Sequence, residues 1–248
     1  MTLVADYRGA CAIEECLSFN VRKTPIDILL LHYTGMQSAD LALSRLTDPN
    51  IEVSCHYMVD EEGAVTQMVA EKHRAWHAGP SFWRGSRDIN SRSVGIEIVN
   101  PGHEWGYRPF PDIQIEAVIA LSKDIVERNA IPPELVLAHS DIAPDRKEDP
   151  GELFPWDRLY ENGIGHWVEP APITDGPSYG PGDEGVPVQA LQSLLAWYGY
   201  DVEVTGVFDR PTELAVIAFQ RHFRQEKIED RADLSTIDTL KRLCDRLR

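Results

Sequence analysis

Residues 135–151 read LVLAHSDIAPDRKEDPG, and the order of that stretch sets the architecture expected of the chain. Its head, LVL, is a short apolar run of the kind that forms a buried strand. Such a strand delivers His139 to its carboxyl end. A loop containing Pro144 and Pro150 then returns Lys147 and Asp149 toward that histidine, and each proline fixes φ and narrows the paths open to the loop. A His and an Asp ten residues apart across such a loop are able to face one ion.

Upstream, residues 26–32 read IDILLLH, a near-continuous apolar run that predicts a central strand ending in His32. Two adjacent strands that each end in a histidine place both imidazoles over one edge of a sheet. Zinc in a hydrolase takes three protein ligands and leaves one position for water. His139 and Asp149 offer two and His32 is the best third, although a histidine taken alone is more ordinarily a hydrogen-bonded structural side chain. Residues 93–99, SVGIEIV, alternate and set one carboxylate, Glu97, on an otherwise apolar strand. Burial there raises a carboxyl pKa and suits a general base; the plain alternative is a strand-edge glutamate facing water. Lys147 would place positive charge where an oxyanion develops, or else is a solvated loop lysine.

The remaining chain predicts a helix capped by Ser38 and carrying Leu41, Leu43 and Leu46, then a hairpin from residues 56–59 and 65–69. Residues 76–90 have no period and read as a long loop whose aromatics (Trp76, Phe82, Trp83) favour a functional role. A helix over residues 112–129, capped by Asp112, carries Ile115, Val118, Ile119, Ile125 and Val126. Strands and helices alternate without a strict βαβ rhythm, so the expected fold class is mixed α/β, a central mixed β-sheet flanked by helices. Residues 170–187 hold nine Pro or Gly in eighteen positions and read as a linker. Beyond it lie three helices. The first carries Leu191, Leu194 and Leu195 and stops at Gly199. The second starts near Asp209 with Leu214, Ile217, Phe219 and Phe223 as core candidates. The third is capped by Ser235 and carries Ile237, Leu240, Leu243 and Leu247. The expected division is residues 1–168, a linker at 169–186, and a small all-α three-helix domain at 187–248.

A chain of 248 residues is long enough for one full-sized and one small domain. Its net charge of −16 repels a phosphate backbone, which argues against nucleic acid as a partner. No apolar run approaches eighteen residues, so no membrane span is expected. The first twenty residues carry Asp6, Glu14 and Glu15 and no signal-like apolar core, an expectation of a cytoplasmic protein. Cys11, Cys16, Cys55 and Cys244 follow no disulfide or metal-knuckle spacing and read as reduced thiols, buried or partly so.

LHYTG around His32, VSCHYMV around His56, RAWHAG around His77, VGIEIVNPG around Glu97 and HSDIAPDRKEDPG around His139 resemble the zinc-dependent N-acetylmuramoyl-L-alanine amidases of the type 2 family. These are relatives of phage T7 lysozyme and of peptidoglycan recognition proteins. The resemblance implies His32, His139 and Asp149 as ligands of Zn2+, Glu97 as the acid/base group and Lys147 as the transition-state cation. It also implies loops facing glycan and stem peptide at Trp76, His77, Asn90 and Asn100. The tail resembles the three-helix peptidoglycan-binding module, matching it at Gly206, Phe208, Phe219 and Gln220 and departing from it at Thr205 and Asp209.

The function implied is hydrolysis of the amide between N-acetylmuramic or anhydro-muramic acid and L-alanine, with peptidoglycan or muropeptides as partner. The alternative is a non-catalytic recognition protein. A zinc endopeptidase is disfavoured because no H-E-x-x-H helix occurs. A wall-binding tail would place the work in the periplasm or envelope, against the cytoplasmic expectation from the N-terminus.

Overall fold

The computed structural model describes residues 3–247. The outer limits of the expected domains, positions 1 and 248, lie outside the described residues. In chain order the elements begin with β1 (Ala12–Ile13), β2 (Phe19–Val21), β3 (Ile28–Tyr33), α1 (Ala39–Thr47), β4 (Tyr57–Val59), β5 (Val65–Gln67) and β6 (His73–Ala75). There follow α2 (Ile89–Arg92), β7 (Ser93–Ile98), α3 (Gly102–Trp105), α4 (Asp112–Asn129), β8 (Val136–Ala138), α5 (His139–Ile142) and α6 (Trp156–Glu161). The last three are α7 (Val186–Tyr198), α8 (Arg210–Phe223) and α9 (Leu234–Asp245).

One sheet runs in the order β1-β5-β4-β7-β3-β8, and β2 pairs with β6 in a second, two-stranded one. The large sheet is mixed: β4–β5 is the antiparallel hairpin expected from the sequence, while β7 and β8 flank β3 in parallel. Strand β3 is an inner strand beside the edge strand β8, and Ile28, Leu29, Leu30 and Leu31 are all fully buried, so both of its faces need cover. Helix α4 supplies cover on one side through Ile115, Val118, Leu121 and Ile125, packed in the same apolar cluster as the strand. Ser38 caps α1 by accepting from the Leu41 amide, but Leu41 itself is exposed and Ala42 and Leu46 carry the buried face.

The C-terminal helices depart from the expectation in two details. Asp233, not Ser235, caps α9, because its carboxylate accepts from the Thr236 amide while the Ser235 hydroxyl donates to the Ala171 carbonyl. In α8, Ala215, Val216 and Ala218 join Phe219 and Phe223 in the core, whereas Leu214 and Ile217 are only half-buried. The Pro/Gly-rich segment is laid down as a strap. Tyr179 pairs with Ala232 and Glu184 with Val207.

A continuous set of buried apolar side chains runs from the sheet into the helical bundle. Trp83, from the long loop after β6, is fully buried with its ring against Tyr200 and Tyr198 at centroid distances of 5.0 and 6.1 Å. That aromatic belongs to the contact between the two modules.

Candidate active site

The parallel ladder places three side chains at one level. His32 pairs with Glu97 across β3 and β7, and Leu31 pairs with Ala138 across β3 and β8, so His139, the next residue, emerges beside His32 at the carboxyl edge of the sheet. The loop after α5 brings Asp149 back, and Ser140 donates its amide to the Asp149 carbonyl at 3.0 Å to fix the return. The three side chains converge. His32 Nδ1 lies 2.8 Å from His139 Nδ1 and 3.1 Å from Asp149 Oδ2, and His139 Nδ1 lies 2.9 Å from the same oxygen. All three are buried, and the set has the donor atoms and spacing to hold a metal ion.

The hydrogen bonds behind the imidazoles decide which nitrogen offers a lone pair. His139 Nε2 sits 3.1 Å from the Ala78 carbonyl, so it carries the proton and Nδ1 is free. The Ser93 hydroxyl donates to the Ile89 carbonyl at 2.8 Å and is left to accept from His77 Nε2 at 3.3 Å. His77 Nδ1 then accepts from His32 Nε2–H at 3.0 Å, which leaves His32 Nδ1 unprotonated toward Asp149. Burial, and then the neighbouring His139, lower the His32 pKa to about 4, so its imidazole is neutral at physiological pH. Burial alone would raise the Asp149 carboxyl, but the two histidines bring it well below the usual range and keep it ionised. Two neutral imidazole nitrogens and one carboxylate oxygen are the donor chemistry of a divalent metal with an open position.

Glu97 and Lys147 open on the same cleft, about 180 Å³ in volume, whose wall includes Tyr33, Met36, Val53 and His77. Burial, reinforced by the Asp149 charge and only partly offset by Lys147, pushes the Glu97 carboxyl well above its ordinary value. Its Oε2 has no hydrogen-bond partner among the described residues. The remaining four candidates divide. His77 borders the cleft but spends both ring nitrogens behind His32. Asn90 Oδ1 accepts from the His77 and Ala78 amides, and Asn100 bridges the Arg108 carbonyl and the Gly102 amide, so both brace loops. Trp76 is half-buried, donates to Asn20, and borders a separate shallow cleft with Glu52 and Arg74.

Several contributors were not singled out from the sequence. Ser93 fixes the His77 tautomer from a strand position that reads only as a boundary. Asp141 accepts from the Ala138 amide at 2.8 Å and holds the first turn of α5. An acidic residue three positions after a strand end is a helix-start signal that could have found it.

Residues 22–152 match the family described as N-acetylmuramoyl-L-alanine amidase, and residues 184–240 match one described as "Putative peptidoglycan binding domain". The chain is 40% identical over 223 residues to N-acetylmuramoyl-L-alanine amidase AmiD of Escherichia coli (strain K12), covering 85% of this chain and 79% of that protein. It is 31% identical over 160 residues to 1,6-anhydro-N-acetylmuramyl-L-alanine amidase AmpD of Haemophilus influenzae, covering 56% of this chain and 85% of the other. The solved complex of E. coli AmiD with anhydro-N-acetylmuramic acid-L-Ala-D-gamma-Glu-L-Lys superposes with a TM-score of 0.77 at 37% identity, over 94% of this chain and 93% of that one. AmpDh3 of Pseudomonas aeruginosa superposes with a TM-score of 0.74 at 28% identity over 99% of both chains. With more than half of its length matched by the family and its fold shared with solved members, this chain belongs to the N-acetylmuramoyl-L-alanine amidases.

Proposed function

We propose that this amidase hydrolyses the bond between the lactyl carbonyl of N-acetylmuramic or anhydro-muramic acid and the amine of L-alanine, with zinc at His32, His139 and Asp149. One observation carries the reading: two unprotonated imidazole nitrogens and one carboxylate oxygen converge at the ends of three adjacent parallel strands, beside a cleft lined by a glutamate with an oxygen unpartnered among the described residues. When bound there, the cation supplies Lewis acidity to the scissile carbonyl and acidifies a water. Glu97 accepts the proton of the attacking water and passes it to the departing L-alanine nitrogen, which must be protonated to leave. Its raised pKa suits a group that both takes and gives up a proton near neutral pH. Lys147 brings positive charge to the oxygen on which charge accumulates. His77 and the Ala78 carbonyl hold the two imidazoles in one tautomer throughout.

The catalytic reading is favoured over a non-catalytic binder because Glu97 and the Lys147 side chain line the cleft beside His32, His139 and Asp149. AmiD from E. coli and AmpDh3 from P. aeruginosa have been solved with anhydro-muramyl peptides, which supports muropeptides as the substrate class here. The helical module, matched to a wall-binding family, supports peptidoglycan as partner. Among the four candidate substrate contacts, we keep Trp76, whose ring is not enclosed.

The test is release of the stem peptide from a purified muropeptide, with mass spectrometry of the products. The expected result is a free L-alanine amine and an intact muramic carboxylate, loss of activity with a chelator, and recovery with Zn2+. Glu97→Gln should retain the metal and lose activity by about 10²–10⁴-fold. Chelator-resistant turnover, or cleavage inside the peptide, would overturn the assignment.

A further inference from the structure

The carboxylate of Asp141, two residues after the ligand His139, is almost fully buried and is held from outside its own module. Its Oδ2 takes the Ala138 amide at 2.8 Å and the His222 Nδ1 at 2.7 Å, while its Oδ1 takes the Tyr200 hydroxyl at 2.7 Å. Ala138 is the last residue of β8, so this carboxylate sets the direction in which the chain leaves the strand and presents His139. Tyr200 follows α7, and His222 lies near the end of α8, where its ring is stacked between Trp156 and Phe223 at 3.7 Å from each centroid.

Other contacts grip the same loop further along. Arg221 pairs with Glu148 at 2.6 Å, one residue before the ligand Asp149, and Gln225 donates to the Phe154 carbonyl at 2.8 Å. Because Ser140 is tied to the Asp149 carbonyl, a shift of α5 moves two ligands together. His32, by contrast, stands on β3 with its own support in His77 and Ser93.

We propose that the helical module is the foundation of the metal-binding loop, with Tyr200 and His222 acting through Asp141 as positioning residues for His139. The inference rests on the amidase reading of the site and adds to it a task distinct from holding wall polymer. Without its two outside donors, Asp141 would keep one of its three hydrogen bonds and be left a buried, under-paired polar group. It would then turn toward water and release the first turn of α5. Binding of the cation should weaken in consequence, as it does when groups that orient metal ligands are removed.

The experiment uses the full chain. Tyr200→Phe keeps the ring against Trp83 and removes one donor; His222→Phe keeps the stack between Trp156 and Phe223 and removes the other. The affinity for Zn2+ is read by chelator competition and the ligand field by the Co2+ absorption spectrum, alongside Tm, kcat and KM. The double variant should lose about 10–100-fold in Zn2+ affinity, show an altered Co2+ spectrum, and lose kcat with KM within twofold. His222→Asn, which returns an N–H donor near the place of Nδ1, should recover most of the loss caused by His222→Phe. Arg84→Ala breaks a hydrogen bond to the Tyr198 carbonyl in the same contact zone without touching Asp141, and should lower Tm with Zn2+ affinity unchanged.

Wild-type Zn2+ affinity and Co2+ spectrum in the double variant would overturn the positioning role, whatever its Tm. So would failure of His222→Asn to rescue, since the loss would then belong to packing. If the double variant does not fold, Tyr200→Phe alone is held to the same criteria. Failure of the unmodified chain to bind Zn2+ or to release peptide would count against the proposed function instead.

Discussion

His77 has a purely internal duty: it accepts from His32 with one nitrogen and donates to Ser93 with the other, so it selects the form in which His32 faces the metal site. Replacing it by Ala should reduce Zn2+ affinity by about 10–100-fold, measured by chelator competition; an affinity within twofold of wild type would refute that duty. The sequence placed His77 in a loop near the site but not behind a ligand, because its partners come from β3 and from the start of β7. Glu97 was more legible, since alternation along its strand fixes which face it shares with His32. That its Oε2 has no partner among the described residues depends on neighbouring elements and could not be read from alternation. Asn90 and Asn100 show the opposite limit. A polar residue in a loop near a site gives no sign in the sequence that it bonds the backbone of its own loop, as both of these side chains do.

At the scale of elements, β7 is as tightly specified as β3, and for a steric reason at Gly95. A Cβ there would stand 2.5 Å from His77 Nδ1 and 2.8 Å from Cys55 Sγ, and the Gly95 amide donates to His56 Nδ1. Gly95→Ala should destabilise the fold by about 1–3 kcal/mol in denaturant titration and also weaken Zn2+ binding, because the side chain it displaces is the one supporting His32. A stable variant with normal metal affinity would show that the pocket relaxes at no cost. Long apolar strands such as β3 and β7 declared themselves in the sequence because burial on both faces leaves little room for polar residues. Strands β1, β2 and β6 did not, being two or three residues long and held by pairing rather than by pattern. The cap of α9 was misplaced by two residues for a related reason. Asp233 and Ser235 are both good capping types, and the choice fell to the backbone, which is extended at Asp233 and helical at Ser235.

Apolar side chains run unbroken from β3 to α9 and Trp83 is shared between the modules, a packing that joins the whole molecule into one cooperative unit. Calorimetry and tryptophan fluorescence should therefore report a single coincident unfolding transition; two separated transitions would mean the modules are independent. Acid should act early. Burial lowers the pKa of His56 to about 3, of His32 to about 4, and of His77 well below 6.5. The folded metal-free protein thus refuses protons that the unfolded chain binds below about 6.5, and stability falls as pH drops through that window. Each such histidine contributes on the order of 2 kcal/mol to the loss between pH 7 and 5, so urea midpoints should decline over that range, and His56→Gln should flatten the decline. A midpoint constant from pH 7 to 5 would show that these imidazoles take up protons without unfolding. The Pro/Gly run suggests where one module would give way to the next, but the contacts between them were not legible, since they are made by single side chains from distant parts of the chain. That union also sets an order on biosynthesis. His222 lies 81 residues beyond Asp141, and at ribosomal rates of about 5–20 residues per second the strands of the sheet are made several seconds before the side chain that completes their catalytic edge. For that interval the nascent enzyme has its ligands but not their anchorage, so activity matures only as the last helices are translated.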